Sequence, residues 1–227
     1  LLSRRAYIQQ IEAPRISTSR QFAKQLLSSL PFEMTNAQKR VSKEIVQDLK
    51  LNKPMLRLVQ GDVGAGKTLV AGVAACHALE EGWQVALMAP TEILAEQHYL
   101  NFKKWFEPLG LSVSWLSGKQ KGKARAAAEQ AIVDGTAHLV VGTHALFQDN
   151  VRFAKLGLVI IDEQHRFGVD QRLALRNKGA QNMTPHQLVM TATPIPRTLA
   201  MSAYGDLDTS VIDELPPGRT PIQTVTI

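Results

Sequence analysis

Two groups of residues in this chain have the types and spacing of a phosphate-handling site. The run Gly61-Asp62-Val63-Gly64-Ala65-Gly66-Lys67-Thr68 fits G-x-x-x-x-G-K-[ST], the P-loop pattern. Its glycines allow a tight turn that aims several backbone N–H groups at one point. With the positive end of a following helix, those donors can hold a chain of phosphates. Lys67 is placed to reach the β- and γ-phosphates, and the Thr68 hydroxyl to bind Mg²⁺. The second group is Asp162-Glu163, directly after the apolar run at residues 156–161. An aspartate there can hold the cation, partly through water, and the next carboxylate can orient and deprotonate an attacking water. A chance glycine turn or a solvated acid pair would explain either group alone. Together they point to hydrolysis of a nucleoside triphosphate, with Lys67, Asp162 and Glu163 as the catalytic set.

These residues need elements to position them. Residues 55–60 read as a short apolar strand and residues 69–75 as a helix, so the glycine run lies between strand and helix. Upstream, Phe22, Leu26, Leu27 and Leu30 mark a short helix stopped by Pro31. Thr35 or Asn36 can cap a helix running to about Leu51, with Val41, Ile45, Val46 and Leu49 on its apolar face. Downstream, residues 83–88, 111–116, 138–141, 156–161 and 186–190 read as strands. Helices are expected from Thr91 to Phe106 and over residues 124–133. Strands alternating with helices predict an α/β fold, with a mainly parallel sheet flanked by helices. In such sheets ligands sit beyond the carboxyl ends of the strands. The P-loop, Pro90-Thr91, Gly142-Thr143-His144, Asp162-Glu163-Gln164-His165 and Thr191-Ala192-Thr193 all fall at such ends, which predicts one shared cleft.

Composition narrows the partners. A chain of 227 residues, 44% hydrophobic and 20% charged, can bury an ordinary core. A net charge of +6 favours a polyanionic partner. Lys119, Lys121, Lys123 and Arg125 alternate through a loop into a helix start, either as phosphate contacts or as a solvated basic loop. The single Cys76 cannot form an internal disulfide or a thiolate cluster. It reads as core packing in a reducing cytoplasm. No apolar run approaches the roughly 18 residues of a membrane span, and no signal-peptide pattern is present. Residues 1–20 have no continuous period and are expected to be a linker or the end of an upstream domain. The chain opens on Leu1, so a fragment or a processed chain is expected, with residues 21–227 as one domain.

Taken in order, the strand-end motifs resemble those of superfamily 2 helicases and translocases, with Asp162-Glu163-Gln164-His165 as a DExH box. Residues 162–169 and 191–199 are similar to two bacterial families, the RecG-type branched-DNA helicases and the transcription-repair coupling translocases. Residues 118–123, Gln164 and residues 205–219 tilt the resemblance to the RecG type. The coupling translocase and a non-helicase P-loop ATPase remain as alternatives.

The resemblance implies a RecA-like P-loop NTPase domain that uses ATP and Mg²⁺. Phe32 and Gln38 would recognise adenine, Gln38 by hydrogen bonding to the base. A solvent-facing helix position is the alternative for Gln38. Pro90, Thr91, Gly142, Thr143 and His144 would touch one DNA strand's backbone. Thr191, Ala192 and Thr193 would couple hydrolysis to domain movement, bridged to the box by Gln164 and His165. It further implies branched or forked DNA as partner, as at stalled forks and Holliday junctions in repair and recombination. A second RecA-like domain with an arginine finger, a wedge domain and a monomeric state are implied as well.

Glu163→Gln keeps the side chain's shape and removes the base, so the parent protein should still bind ATP but not turn it over. Phosphate release at the unsubstituted rate would show that Glu163 is not the catalytic carboxylate.

Overall fold

The computed structural model describes residues 12–17, 20–162, 178, 183–193 and 207–216. The described residues contain five α-helices and seven strands. The helices are α1 (Gln21–Ser29), α2 (Asn36–Leu49), α3 (Lys67–Glu80), α4 (Glu92–Phe106) and α5 (Gly122–Val133). The strands are β1 (Leu56–Gly61), β2 (Gln84–Met88), β3 (Val113–Leu116), β4 (Leu139–Gly142), β5 (Leu156–Asp162), β6 (His186–Thr191) and β7 (Asp208–Ile212). They form one sheet in the order β3-β4-β2-β5-β6-β1-β7, and every pairing is parallel. The expected α/β architecture is present, with a sheet that is wholly parallel among the described strands.

The sheet is buried on both faces because neighbouring strand residues point opposite ways. Val59, Leu158, Ile160, Leu188 and Met190 join one core with α1 to α4. Leu58, Val159, Ile161 and Val189 join the other, where Ile132 of α5 and Leu146 also pack. This explains why the strands read as unbroken apolar runs. Helix α3 is buried at every position from Leu69 to Leu79, so it is a central helix rather than an amphipathic one. Thr35 and Thr91 are the caps of α2 and α4. The Gln38 N–H donates to Thr35 Oγ1, and the Leu94 N–H to Thr91 Oγ1. Thr35 is completed by Gln38 into a capping box.

Strand β3 starts two residues later than expected, at Val113, and two further features differ from the sequence expectation. Helices α3 and α5 start two residues earlier than expected, at Lys67 and Gly122. A seventh strand, β7, pairs with the outer side of β1, from Arg57↔Asp208 to Gly61↔Ile212. As an edge strand it has a mixed, partly exposed pattern instead of an apolar run, which hid it from pattern reading.

The amino ends of the strands are stapled by buried polar side chains. Gln84 donates from Nε2 to the Ile132 and Ala137 carbonyls and accepts the Lys155 N–H. His186 accepts the Met55 N–H at Nδ1 and donates from Nε2 to the Pro14 carbonyl at 2.6 Å. Two backbone bonds, from Thr184 to Glu12 and from Ile16 to Leu49, hold residues 12–17 to the same end, with Ala13 and Ile16 buried.

Burial pushes the His186 imidazole below its usual range, and it lowers His77 on α3 to about 4, with Arg20 adding to the effect. A histidine held neutral in the fold binds its proton more readily when unfolded. Its stabilising contribution is therefore full above pH 6.5 and lost as pH falls from there toward the depressed value. Each unit of depression is worth about 1.4 kcal/mol. The denaturant midpoint should fall steadily between pH 6.5 and pH 5, before carboxylates begin to titrate. A flat midpoint over that interval would contradict this assignment.

Candidate nucleotide-binding site

The glycine run forms the turn from β1 into α3. Gly64 and Gly66 take φ of 84° and 87°, the left-handed region that suits glycine. Helix α3 opens at once, with the Leu69 and Val70 N–H groups on the Gly66 carbonyl. Ala65 is buried, whereas Asp62 and Val63 stand in solvent. The Lys67 ammonium lies across the loop and donates to the Gly61 and Asp62 carbonyls at 2.6 and 3.0 Å. Thr68 is half-buried on the first turn of α3.

Gln38 supports this loop from beneath. It is 2% exposed, so it is not a solvent-facing helix residue. Its Oε1 accepts the Thr35 N–H, and its Nε2 donates to the Ala65 carbonyl at 2.8 Å. One side-chain amide thus closes the α2 capping box and holds the floor of the phosphate loop. Phe32, ahead of α2, is half-exposed. The Ala37 N–H at the start of α2 donates to Glu214, which follows β7 and lines a cleft with Gly61, Asp62, Ala192 and Asp213.

Strand order brings the other predicted residues alongside. Strand β6 lies between β5 and β1, with Asp162 paired to Met190 and Gln60 to Thr191. Asp162, Thr191 and the P-loop therefore occupy three adjacent strand ends. Thr191 is buried, and its Oγ1 accepts the Thr193 N–H at 3.1 Å across Ala192. Asp162 has a partner that sequence reading missed. Its Oδ2 lies 2.6 Å from Nε2 of His98, from the middle of α4. The two residues are 64 positions apart, and no motif spacing links them. Glu163, Gln164 and His165 lie outside the described residues.

The second predicted set occupies the other half of the edge. Pro90 and Thr91 follow β2, Gly142 ends β4, and Thr143 and His144 follow it. The two strands are neighbours, with Met88 opposite Gly142 and the Ala89 N–H on the Gly142 carbonyl. Gly142 is demanded by close packing, since a Cβ there would lie 2.0 Å from the Leu116 carbonyl oxygen. Thr143 is buried with no hydrogen-bond partner for Oγ1 among the described residues, while His144 is exposed. Lys119 and Lys121 stand in solvent on the loop after β3, and Lys119 Nζ is 3.8 Å from Glu92 Oε2 at the start of α4. Arg125 is not a free basic group. It bonds Glu129, the Ser117 carbonyl and Gln148, pinning that loop instead.

Comparison with known proteins gives a consistent picture. The DEAD/DEAH box helicase family matches residues 35–202. The chain is 63% identical to the ATP-dependent DNA helicase RecG of Escherichia coli K12, along 100% of its own length and 33% of the relative's. It is 62% identical to that of Haemophilus influenzae, along 96% of its length and 32% of the relative's. Its fold is similar to a solved structure of RecG bound to a three-way DNA junction, with a TM-score of 0.85 and 43% identity, covering 97% of this chain and 29% of that one. The chain thus spans about a third of the length of the curated relatives it matches.

The loop geometry gives a direct test at Gly66. A Cβ there would meet Gln38 Nε2 at 2.2 Å, on a backbone with φ of +87°. Gly66→Ala should lower stability by about 1–2 kcal/mol through left-handed strain. It should weaken nucleotide binding more than Gly118→Ala, where a Cβ meets nothing within 4 Å. Equal nucleotide affinities in the two variants would show that the loop tolerates displacement of Gln38.

Proposed function

The chain belongs to the DEAD/DEAH box helicase family, and from that membership we propose that it is the first RecA-like motor domain of a RecG-type ATP-dependent DNA helicase. The parent protein would act on branched DNA, such as stalled forks and Holliday junctions, in repair and recombination. The observation that carries the reading is the arrangement of the sheet's carboxyl edge. Strands β1, β6 and β5 present the P-loop, Thr191 and Asp162 side by side, and β2 and β4 continue the edge with Pro90-Thr91 and Gly142-Thr143-His144.

The residues divide the work. Backbone N–H groups of the Gly61–Thr68 loop would face the phosphates, and Lys67 would leave its two loop carbonyls to neutralise them. Thr68 and Asp162 are the residues that would hold Mg²⁺. Their hard oxygen donors suit it, and among the described residues no three His, Cys, Asp or Glu side chains cluster as a protein-only cage. The bound cation supplies charge neutralisation at the transferring phosphate. Glu163 would deprotonate the water, and Gln38 and Phe32 would read the adenine once Gln38 exchanges one of its hydrogen bonds, to Thr35 or Ala65, for one to the base. Thr91, Thr143, His144, Lys119 and Lys121 would meet DNA phosphates, contacts that position a strand and read no sequence.

The relatives' greater length supports a second RecA-like domain and a wedge domain elsewhere in the parent chain. Residues 1–20 would be the end of the upstream element and residues 21–227 the motor domain. The hydrogen bonds of residues 12–17 to this domain support a firm junction between the two. Among the described residues no helix is long and apolar enough to cross a membrane. A monomer working in the cytoplasm is the reading that agrees with DNA as partner.

A polypeptide of residues 1–227 should bind nucleotide weakly and show negligible DNA-stimulated ATPase. It would lack the arginine finger from the second domain, which is worth about 10³–10⁵ in rate in related NTPases. DNA binding should be weak, sequence-independent and steeply salt-sensitive. Adding the following domain should restore phosphate release, and adding the upstream wedge should restore fork unwinding. Turnover by residues 1–227 comparable to the intact protein would overturn the two-domain reading.

A further inference from the structure

His98 lies on the inner face of α4, where Ala95, Phe102 and Phe106 are also buried. That spacing calls for an apolar residue, and the imidazole edge does pack on Phe102. Yet the ring carries two polar nitrogens into the interior. Nε2 is 2.6 Å from Asp162 Oδ2, and Nδ1 is buried without a hydrogen-bond partner among the described residues. Nδ1 faces no acceptor among the described residues, so the arrangement that satisfies the pair is Nε2–H donating to the carboxylate with Nδ1 as the bare acceptor. A half-satisfied buried imidazole is unfavourable for folding alone. Its one strong contact is with the carboxylate assigned to the cation.

We propose that His98 is a positioning residue for the cation-holding carboxylate of Asp162. Asp162 is the last residue of its strand, still paired to Met190, and that backbone pairing does not set the rotation of its side chain. One hydrogen bond from a buried ring on a long helix fixes the rotation of that carboxylate and commits Oδ2, so that Oδ1 is presented in a defined direction. Partners that orient a ligating group in this way commonly change metal affinity or activity by about 10–100-fold when removed. The inference rests on the nucleotide site described above. It adds a residue that lies outside the P-loop and the DExH box.

The test compares binding of a fluorescent ADP to the full-length parent protein in excess Mg²⁺ and in EDTA. His98→Leu keeps packing against Phe102 and removes the donor, whereas His98→Gln keeps an N–H donor of similar reach. In the parent protein Mg²⁺ should tighten binding. In His98→Leu the metal-free affinity should be unchanged while the Mg²⁺ enhancement falls about tenfold or more. His98→Gln should recover most of the enhancement. A merely structural role would weaken both forms alike, and that outcome overturns the proposal, as does a full enhancement in His98→Leu. Should His98→Leu fail to fold, His98→Gln decides: retained enhancement supports the proposal and a lost one overturns it. A parent protein that binds ADP equally with and without Mg²⁺ removes the cation role of Asp162, and this inference with it. Enhancement in the parent that survives in His98→Leu defeats this inference alone.

Discussion

Parallel pairing is the constraint on which the other features depend. Two parallel strands can be joined only by a crossover that returns the chain to the same starting edge. All seven described strands obey this, so every strand delivers its carboxyl end to one side of the molecule. Residues more than a hundred positions apart, such as Gly61 and Thr191, become neighbours without any direct contact having to hold them. The order of strands along the edge then sorts the chemistry. Strands β1, β6 and β5 carry the P-loop, Thr191 and Asp162, and β2 and β4 carry Thr91, Thr143 and His144.

The two edges of the sheet differ in how their polar groups are satisfied. At the amino edge, Gln84 and His186 are buried with partners on both sides of each functional group, which is the state expected of polar residues that hold a fold together. Arg57 near the start of β1 behaves likewise, bonding Asp48 and Glu44 of α2 and Ser210 of β7. At the carboxyl edge satisfaction is incomplete. Thr143 Oγ1 and His98 Nδ1 are buried with no hydrogen-bond partner among the described residues. Unused hydrogen-bonding capacity beside a cleft is unfavourable for the isolated fold and useful when a ligand arrives.

What was legible in the sequence follows from how each feature is encoded. The P-loop, the capping threonines and the apolar strands β1 to β6 are local patterns, set by glycine conformations, N-cap chemistry and burial on both faces of a parallel sheet. The position of Asp162 at a strand end was legible for the same reason. Its contact with His98 was not, because it depends on how α4 lies over the sheet, and a lone histidine on an apolar helix face has no distinctive spacing. Strand β7 was missed because an exposed edge need not be apolar. Gln38 was recognised through resemblance to a family. Its hydrogen bonds to Thr35 and Ala65 required the loop and the helix to be placed side by side.

The boundary between the two halves of the edge is the pairing of β2 with β5, which runs in register from Val85↔Leu158 to Met88↔Ile161. Helix α4 spans that boundary, since its cap Thr91 lies beyond β2 and the helix reaches Asp162 at the end of β5 through His98. A ladder of backbone bonds buried on both faces cannot slide by less than a whole register step, and such a step would move each core side chain into the opposite, differently packed core. The strands therefore form a fixed frame, and the distance between the P-loop half of the edge and the half that bears Thr91, Thr143 and His144 is set by the fold. Work done at this edge must then appear as movement of its loops, or of another body closing on it, rather than as motion within the sheet. Under the proposed function, a single domain of this architecture would hold a nucleotide and a strand of DNA at a constant spacing, and would need a partner to move one relative to the other.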